Sequence, residues 1–576
     1  MTNSVYGIAL SGLNAARSGL ATTSNNIANA NTVGYNRQQV IQQARPSFGS
    51  DIGYIGQGVD IESVQRVYSE FLNAQEQKAT SEYAFFNAKY SQISRVDGLI
   101  ADDTSGLSSA LSDFFSAAQT LSTSPGDLPA RQNFLSAADS LAGRFNSLNA
   151  VLDDLRAATN LQVKDTVTQI NDVTGQIAEL NDRIVAVKSQ DFNSGAPNDL
   201  MDKRDALIKQ LAEQVQVTRV NMDDGSVNLF LGNGQPLVVK TNAFKVSTEV
   251  DPQDPKNLLV GTTQVVNGQN RLITLDPSTL GKGALAGYLS FRETELAEYQ
   301  NTVGLMAARI GEAVNTVQQA GVDLDGNAGQ ALFAFGTGSL VSGVSRVVPN
   351  TANSTTNPTT VSMRSIDLSK VSAVDYEVTI VGGQPQYRVQ GSGSPFTAAN
   401  LVNDPGGDYY EIRDSSNAPI LSFQLSNASP QNGDTFTLMP TRDAAQNMRM
   451  ALSKPNEVAA SSTTNASVGN NENIKAINAL QNQRTLFQSN GAAGVSISDA
   501  FNQLVSKVGN KARELKVSTE SREVLLNQVV ETRDALSGVN MDEEAANLLK
   551  YQQAYQAAGR VISLSKEMFE QILQIF

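Results

Sequence analysis

Apolar side chains recur every seven residues at both ends of this chain. Near the C-terminus Leu548, Tyr555, Ile562, Phe569 and Phe576 form one file, and Tyr551, Ala558, Ser565 and Ile572 form a second. Steps that alternate between three and four residues are the seam of a helix packed lengthwise on another helix. Near the N-terminus Tyr6, Leu13, Leu20 and Ile27 repeat the spacing, flanked by a small-residue file of Ala9, Ala16, Thr23 and Ala30. Chain ends are ordinarily the least ordered parts of a protein, so ends that carry seams need partners. The pattern offers each other and the same helices of neighbouring copies. Arg17 is the only charged side chain before Arg37, whereas a helix with solvent on one side normally carries more charge. Tyr6, Leu13, Leu20, Ile27, Leu548, Tyr551, Tyr555, Ile562, Phe569 and Ile572 are therefore predicted to lie in subunit interfaces.

Between the ends the period changes repeatedly. The first helix, over 1–30, is stopped by Asn29, Asn31 and Gly34, and a Gly/Gln-rich stretch of short alternations follows. The pattern over 60–99 reads as helix, with Tyr68, Phe71, Leu72, Gln75 and Ala79 on one face; 114–121 continues it until Ser124-Pro125-Gly126 breaks it. Leu152, Thr159, Thr166, Val173, Leu180 and Val187 then mark a helix over about 129–188, roughly 90 Å long at ~1.5 Å per residue. Its predicted partners are 200–213 and 474–536, where Leu525, Val529, Thr532, Leu536 and Val539 keep a four-three rhythm. At Val215 the period becomes two, and strand patterns run to Leu275 around a Gly232-Asn233-Gly234 turn. Helix returns over 285–319. Residues 335–440 turn to Thr, Ser, Asn, Gly and Val, with a hairpin of Tyr376 to Val381, Gly382-Gly383 and Tyr387 to Val389. Helix is expected again over 443–452, and a polar linker over 461–473.

The predicted fold class is multidomain α + β: long antiparallel helices and terminal coiled-coil helices from both chain ends, with inserted β-rich outer domains. Residues 1–60 with 537–576 form the terminal domain, and 61–334 with 441–536 a long-helix domain with a small β insertion at about 215–280. Residues 335–440 form a β-rich outer domain.

Composition narrows the chemistry. A chain of 576 residues suits three or more domains, and its formal charge of −14 argues against a nucleic-acid partner. No apolar run approaches the ~20 residues of a membrane helix, so no membrane insertion is expected. Residues 1–8 lack the basic and apolar blocks of a secretory leader. The chain contains no Cys, no His and no Trp. Disulfides, thiolates, imidazole bases and soft-metal sites are thereby excluded, leaving hard cations as the only metals oxygen ligands would suit. Val322-Asp323-Leu324-Asp325-Gly326-Asn327 has Gly fourth and Ala334 twelfth, which fails the EF-hand pattern and reads as a turn. Gly281, Gly283 and Gly287 miss the phosphate-cradle spacing. Met201-Asp202-Lys203-Arg204-Asp205 reads as a solvated helix start, and Asp542-Glu543-Glu544 as acids favoured by a helix dipole. No catalytic, cofactor-binding or metal-binding residue is predicted, and no enzyme.

Two stretches carry a family resemblance. Ser11-Gly12-Leu13-Asn14-Ala15-Ala16, followed by Ser24-Asn25-Asn26-Ile27-Ala28-Asn29-Ala30-Asn31-Thr32-Val33-Gly34-Tyr35, closely resembles the N-terminal signature of the bacterial flagellar rod, hook and junction proteins. Within it Asn25, Asn26, Ile27, Ala28, Asn29, Thr32, Gly34 and Tyr35 are the signature residues. Ser537 to Leu549 and Tyr551 to Ala558 are similar to the C-terminal segment of the junction members. Asp202-Lys203-Arg204-Asp205, Gly232 to Leu237 and Gly321 to Asn327 are similar to their internal landmarks. The resemblance implies an extracellular structural subunit of the flagellum, exported by a type III apparatus without a cleaved signal and without a cofactor. It implies a homo-oligomer in the flagellar axis, with the hook protein on one side and a second junction protein on the other. An export chaperone on the C-terminal helices is also implied. A hook or distal-rod subunit, or a secreted adhesin working through 335–440, remains the alternative.

Overall fold

The computed structural model describes residues 2–50, 53–100, 106–190, 197–232, 234–266, 269–275, 280–335, 346–350, 353–354, 358–426, 430–463, 466–484, 486 and 494–575. Helix α1 (Thr2–Ala28) leads into a hairpin of Gln38–Ala44 and Val59–Arg66. The body begins with α2 (Glu70–Ile100), α3 (Leu107–Thr123), the 63-residue α4 (Leu128–Gln190) and α5 (Asn198–Gln214). Short strands from Val217 to Thr274 form a four-stranded and a three-stranded sheet. Then come α6 (Ala284–Phe291), a π-helical turn Arg292–Leu296 and α7 (Ala297–Gln319). After the outer domain the chain returns through α8 (Ala444–Asn447), α9 (Glu472–Ala479) and α10 (Ile497–Ser537), and α11 (Met541–Ile575) ends it.

Three apolar clusters hold these parts. The largest joins the first half of α4 to α3, α7 and α10, with Phe114, Phe134 and Phe333 at its centre, their ring centroids 5.2 and 6.1 Å from that of Phe114. A second packs Val163, Ile170, Val173 and Ile177 of α4 against α5 and the small sheets. The third lies inside the outer domain, between a five-stranded sheet and a four-stranded sheet, around Val378, Ile380, Phe423 and Phe436. The Gly382-Gly383 turn has positive φ at both residues, as a tight two-residue hairpin requires. Among the described residues, none of the three clusters draws a side chain from 1–66 or 541–575.

The outer domain meets the body through buried charge. Arg442 donates to Asp254 at 2.5 Å and also to Asp375, while Arg156 of α4 donates to the same Asp254 at 3.1 Å. Each ion is desolvated, so losing one partner would strand the others at a cost of several kcal/mol.

Several expectations are corrected. Helix does not begin at 60: Val59, Ile61 and Val64 belong to a strand, and the alternation of Val59-Asp60-Ile61-Glu62 is the period-two signal that a helical reading overlooks. The inward face of early α2 is polar rather than apolar. Glu76, Gln77, Thr80 and Ser81 are buried there, while Phe71 is 75% exposed. Glu76 can be buried because Lys209 and Arg533 reach it at 2.7 and 2.6 Å. Helix α10 lies antiparallel along α2, with Arg522 on Glu82 at 2.8 Å, and not along α4. Of its predicted seam only Val529 is buried, because the body instead takes Phe501, Leu504, Val508 and Leu515. Residues 474–536 are not one helix, and helix over 443–452 is confined to α8 before Met448–Met450 pairs with Phe333–Phe335.

Candidate assembly interface

Helices α1 and α11 run antiparallel, in a register that two contacts fix. Gly19 faces the Tyr551 ring so closely that a Cβ there would lie 2.5 Å from it. Asn26 Nδ2 donates to Glu544 Oε2 at 3.1 Å. These pairs lie seven residues apart on both helices, which is the heptad repeat realised within one chain. The side chains buried along this helix pair are small or polar: Ala9, Ser11, Ala15, Ala16, Thr23 and Asn26 on α1, and Glu544 and Ser565 on α11. Small residues let the two backbones approach, and they leave the larger apolar groups outside.

Those larger groups are the ones the heptad reading selected. Tyr6, Tyr555 and Phe569 are exposed, and Leu13, Leu20, Ile27, Leu548, Tyr551 and Ile562 are half-buried. Ile572 lies on α11, but its side chain falls outside the described residues. Val5, Leu10, Leu549, Val561, Leu564 and Met568 are exposed as well, Leu564 at 58%. Val561, Leu564 and Met568 follow an i, i+3, i+7 spacing, so they form a stripe flanking the internal seam. Sequence reasoning missed this stripe, although the spacing was there to be read.

The signature residues build the corner where α1 turns back. Asn26 is the hub: its Oδ1 accepts the Tyr35 hydroxyl at 2.8 Å and the Gln38 N–H at 2.9 Å, and its Nδ2 donates to Gln38 O at 2.9 Å. Its side chain is satisfied only when α1, the hairpin and α11 are all in place. Asn25 donates to the Tyr35 hydroxyl at 3.3 Å, Asn29 donates to the Asn25 carbonyl at 3.0 Å, and Thr32 donates to Asn29 Oδ1 at 3.2 Å. Gly34 has φ +82, a backbone state that favours glycine. Ala28 is exposed at the end of α1. Burial, then Asp199, Asp202 and Glu544, push the Tyr35 hydroxyl well above its usual pKa, so it remains a donor at neutral pH.

Residues outside the predicted set complete the corner. Ser11 Oγ accepts the Val59 N–H at 3.1 Å, and Gly58, at φ +94, lies where a Cβ would meet that hydroxyl at 2.2 Å. Arg37 donates its N–H to Ser537 O at 2.8 Å and its guanidinium to Glu543 at 2.5 Å. Glu543 and Glu544 at the start of α11 are thus partners of α1 and its loop, beyond any service to the helix dipole. Met201 to Asp205 is corrected more strongly: Asp202 and Arg204 are 6% and 1% exposed, so this is no solvated face. Only Lys203 of the charged residues there is exposed. Among the described residues no helix is long and apolar enough to cross a membrane.

Comparison with known proteins places the arrangement. The family described as the flagellar hook-associated protein FlgK helical domain matches residues 93–333. The flagella basal body rod protein family matches 8–36, and the flagellar basal body rod FlgEFG protein C-terminal family matches 534–575. Flagellar hook-associated protein 1 of Escherichia coli (strain K12) is 33% identical over 576 residues, covering 100% of both chains. Its namesake in Bacillus subtilis (strain 168) is 25% identical, covering 100% of this chain and 98% of that one. The solved flagellar hook junction protein FlgK from Burkholderia pseudomallei has a like fold, with TM-score 0.69 at 23% identity, covering 81% of this chain and 100% of that one.

Proposed function

This chain belongs to the flagellar hook-associated protein 1 family, a structural subunit of the hook–filament junction, and from that premise we propose that it assembles through the outer faces of its terminal helices. The single observation that carries the reading is the division of labour on α11. Glu544 and Tyr551 meet α1 and Ser565 is buried, while Leu549, Tyr555, Val561, Leu564, Met568 and Phe569 face solvent. Burying a Leu- or Phe-sized side chain contributes about 1.5–3 kcal/mol, so a neighbour covering four to six of them would offset the cost of ordering the pair. The helix pair is stabilised weakly in the free chain and fully when neighbouring copies cover it. Tyr6, Leu13, Leu20, Ile27, Leu548, Ile562 and Ile572 line the same contacts, and Tyr551 holds the pair together from within.

The hook protein and a second junction protein flank the ring of copies, and the chain works outside the cell as part of the flagellum. Type III export, with a chaperone holding the exposed stripe of α11 until delivery, suits a chain without cysteine that exposes Val561, Leu564 and Met568 along one helix. The role is structural and not enzymatic. Full-length likeness to hook-associated protein 1 favours this reading over a hook or rod subunit, since the two rod-protein models match residues 8–36 and 534–575. Deleting the gene should give intact hooks that carry no filament, seen by electron microscopy and restored by the full-length chain. Filaments of normal number in the deletion strain would refute the reading.

A further inference from the structure

The Asp202 to Asp205 run joins two parts of the molecule that share no apolar cluster. Asp202 Oδ2 accepts the Asn36 N–H at 3.1 Å, and its Oδ1 accepts Asn36 Nδ2 and Arg66 Nη1, both at 2.6 Å. Asn36 closes the signature loop, and Arg66 is the last residue of the hairpin before the chain passes into the body. Both are thus tied to one carboxylate. Arg66 also donates to Asp205 at 2.9 Å, and Arg219 of the small β domain donates to the other Asp205 oxygen at 2.8 Å. The Tyr68 ring lies 4.8 Å from the Arg66 guanidinium and accepts Arg219 through its hydroxyl at 2.9 Å. On the far side of the helix Arg204 donates to Asn181 of α4 at 3.0 Å and to Gly225 O at 2.7 Å, which fixes α5 in the body.

Open space lies on both sides of this joint. A cavity of about 660 Å³ separates the signature loop from α2, α5 and α10, and another of about 600 Å³ separates it from α4 and α5. Val33 lines both and is 94% exposed. Apolar packing resists rotation in many directions through many small contacts. A charged cluster between two cavities resists it through a few directional bonds.

We propose that Asp202 is a positioning residue that sets the angle between the terminal domain and the helical body, and that the joint pivots when its bonds to Asn36 and Arg66 are released. Asp205 and Tyr68 brace Arg66, and the two cavities give the loop room to move. The proposal builds on the reading that the terminal pair is the axial part, because the angle then decides how the body stands from the axis.

The cysteine-free chain allows a direct test. Spin labels at Gln43→Cys on the hairpin and Gln169→Cys on α4 report the joint in the full-length, unassembled protein, whether or not α1 and α11 are paired. A narrow distance distribution is expected in the parent. Asp202→Ala and Asn36→Ala should each broaden or shift it, and Asn36→Ala should do so with the melting of the body unchanged. Arg204→Met should lower the melting temperature and leave the distribution narrow. A parent as broad as Asp202→Ala, variants that superimpose on a narrow parent, or equal broadening by Arg204→Met would each overturn the proposal. Because no polymer is involved, a failure here leaves the assembly reading standing, and a failure of assembly leaves this one standing.

Discussion

The body and the terminal helix pair are both built from long antiparallel helices, yet they are finished to different degrees. In the body, Phe114, Phe134, Phe145, Phe291 and Phe333 are fully enclosed, and charges that enter, such as Glu76, arrive with partners. In the terminal pair the enclosed side chains are alanines and polar groups, Ser11, Thr23, Asn26, Glu544 and Ser565, and the large apolar groups stand exposed or half-buried. The difference teaches that a heptad repeat reports a need for burial without saying who supplies it. The body meets the need within the chain; the terminal pair meets only the part that small residues can meet.

The largest expected effect lies in the body. Phe134→Ala should lower its stability by about 3–5 kcal/mol, as large-to-small changes at enclosed aromatic sites do, measured by denaturant unfolding. A loss below 1 kcal/mol would mean that the body is no better packed than the ends. A smaller effect is expected at Gly19. Gly19→Val cannot keep the Tyr551 ring in place and should separate α1 from α11, seen as faster amide exchange in both helices, with the unfolding of the body unchanged. Slowed exchange would show that the seam has room to spare and that its small residues are incidental. The smallest effect concerns Tyr35. Its hydroxyl pKa is raised in the folded chain above the ordinary 10.0. Its contribution is therefore whole below pH 10 and is lost as pH climbs through the folded value. Tyr35→Phe should cost roughly 0.5–1.5 kcal/mol at neutral pH through the lost bond to Asn26, and should flatten the alkaline weakening of helix pairing. Unchanged alkaline behaviour would remove Tyr35 from the lock.

The sequence carried the elements more faithfully than their partnerships. The 63 residues of α4 match a heptad file read from Leu152 to Val187, and the Gly382-Gly383 hairpin follows from its turn chemistry. The pairing of α10 with α2 was hidden because the contacts that align them are charged, Arg533 with Glu76 and Arg522 with Glu82, and lie over 400 residues apart in sequence. Hydrophobic periodicity has no term for such pairs. Asp202 was misread for a related reason. Acids at a helix start look solvated unless the residues that bury them, Asn36 and Arg66, are known to be near. At the terminal helices the sequence marks the heptad files, but the choice between inner and outer faces rests on side-chain size: Gly19 admits Tyr551, while Leu564 is left 58% exposed.

The proposed assembly requires the outer stripe of α11 to serve neighbours and not the chain itself. Leu564→Asp tests it most directly, with melting of the purified chain and incorporation at the hook tip measured on the same variant. An unchanged melting curve and no incorporation, so that hooks stay bare, are expected. Normal incorporation, or a melting temperature that falls as it does for Phe134→Ala, would contradict it.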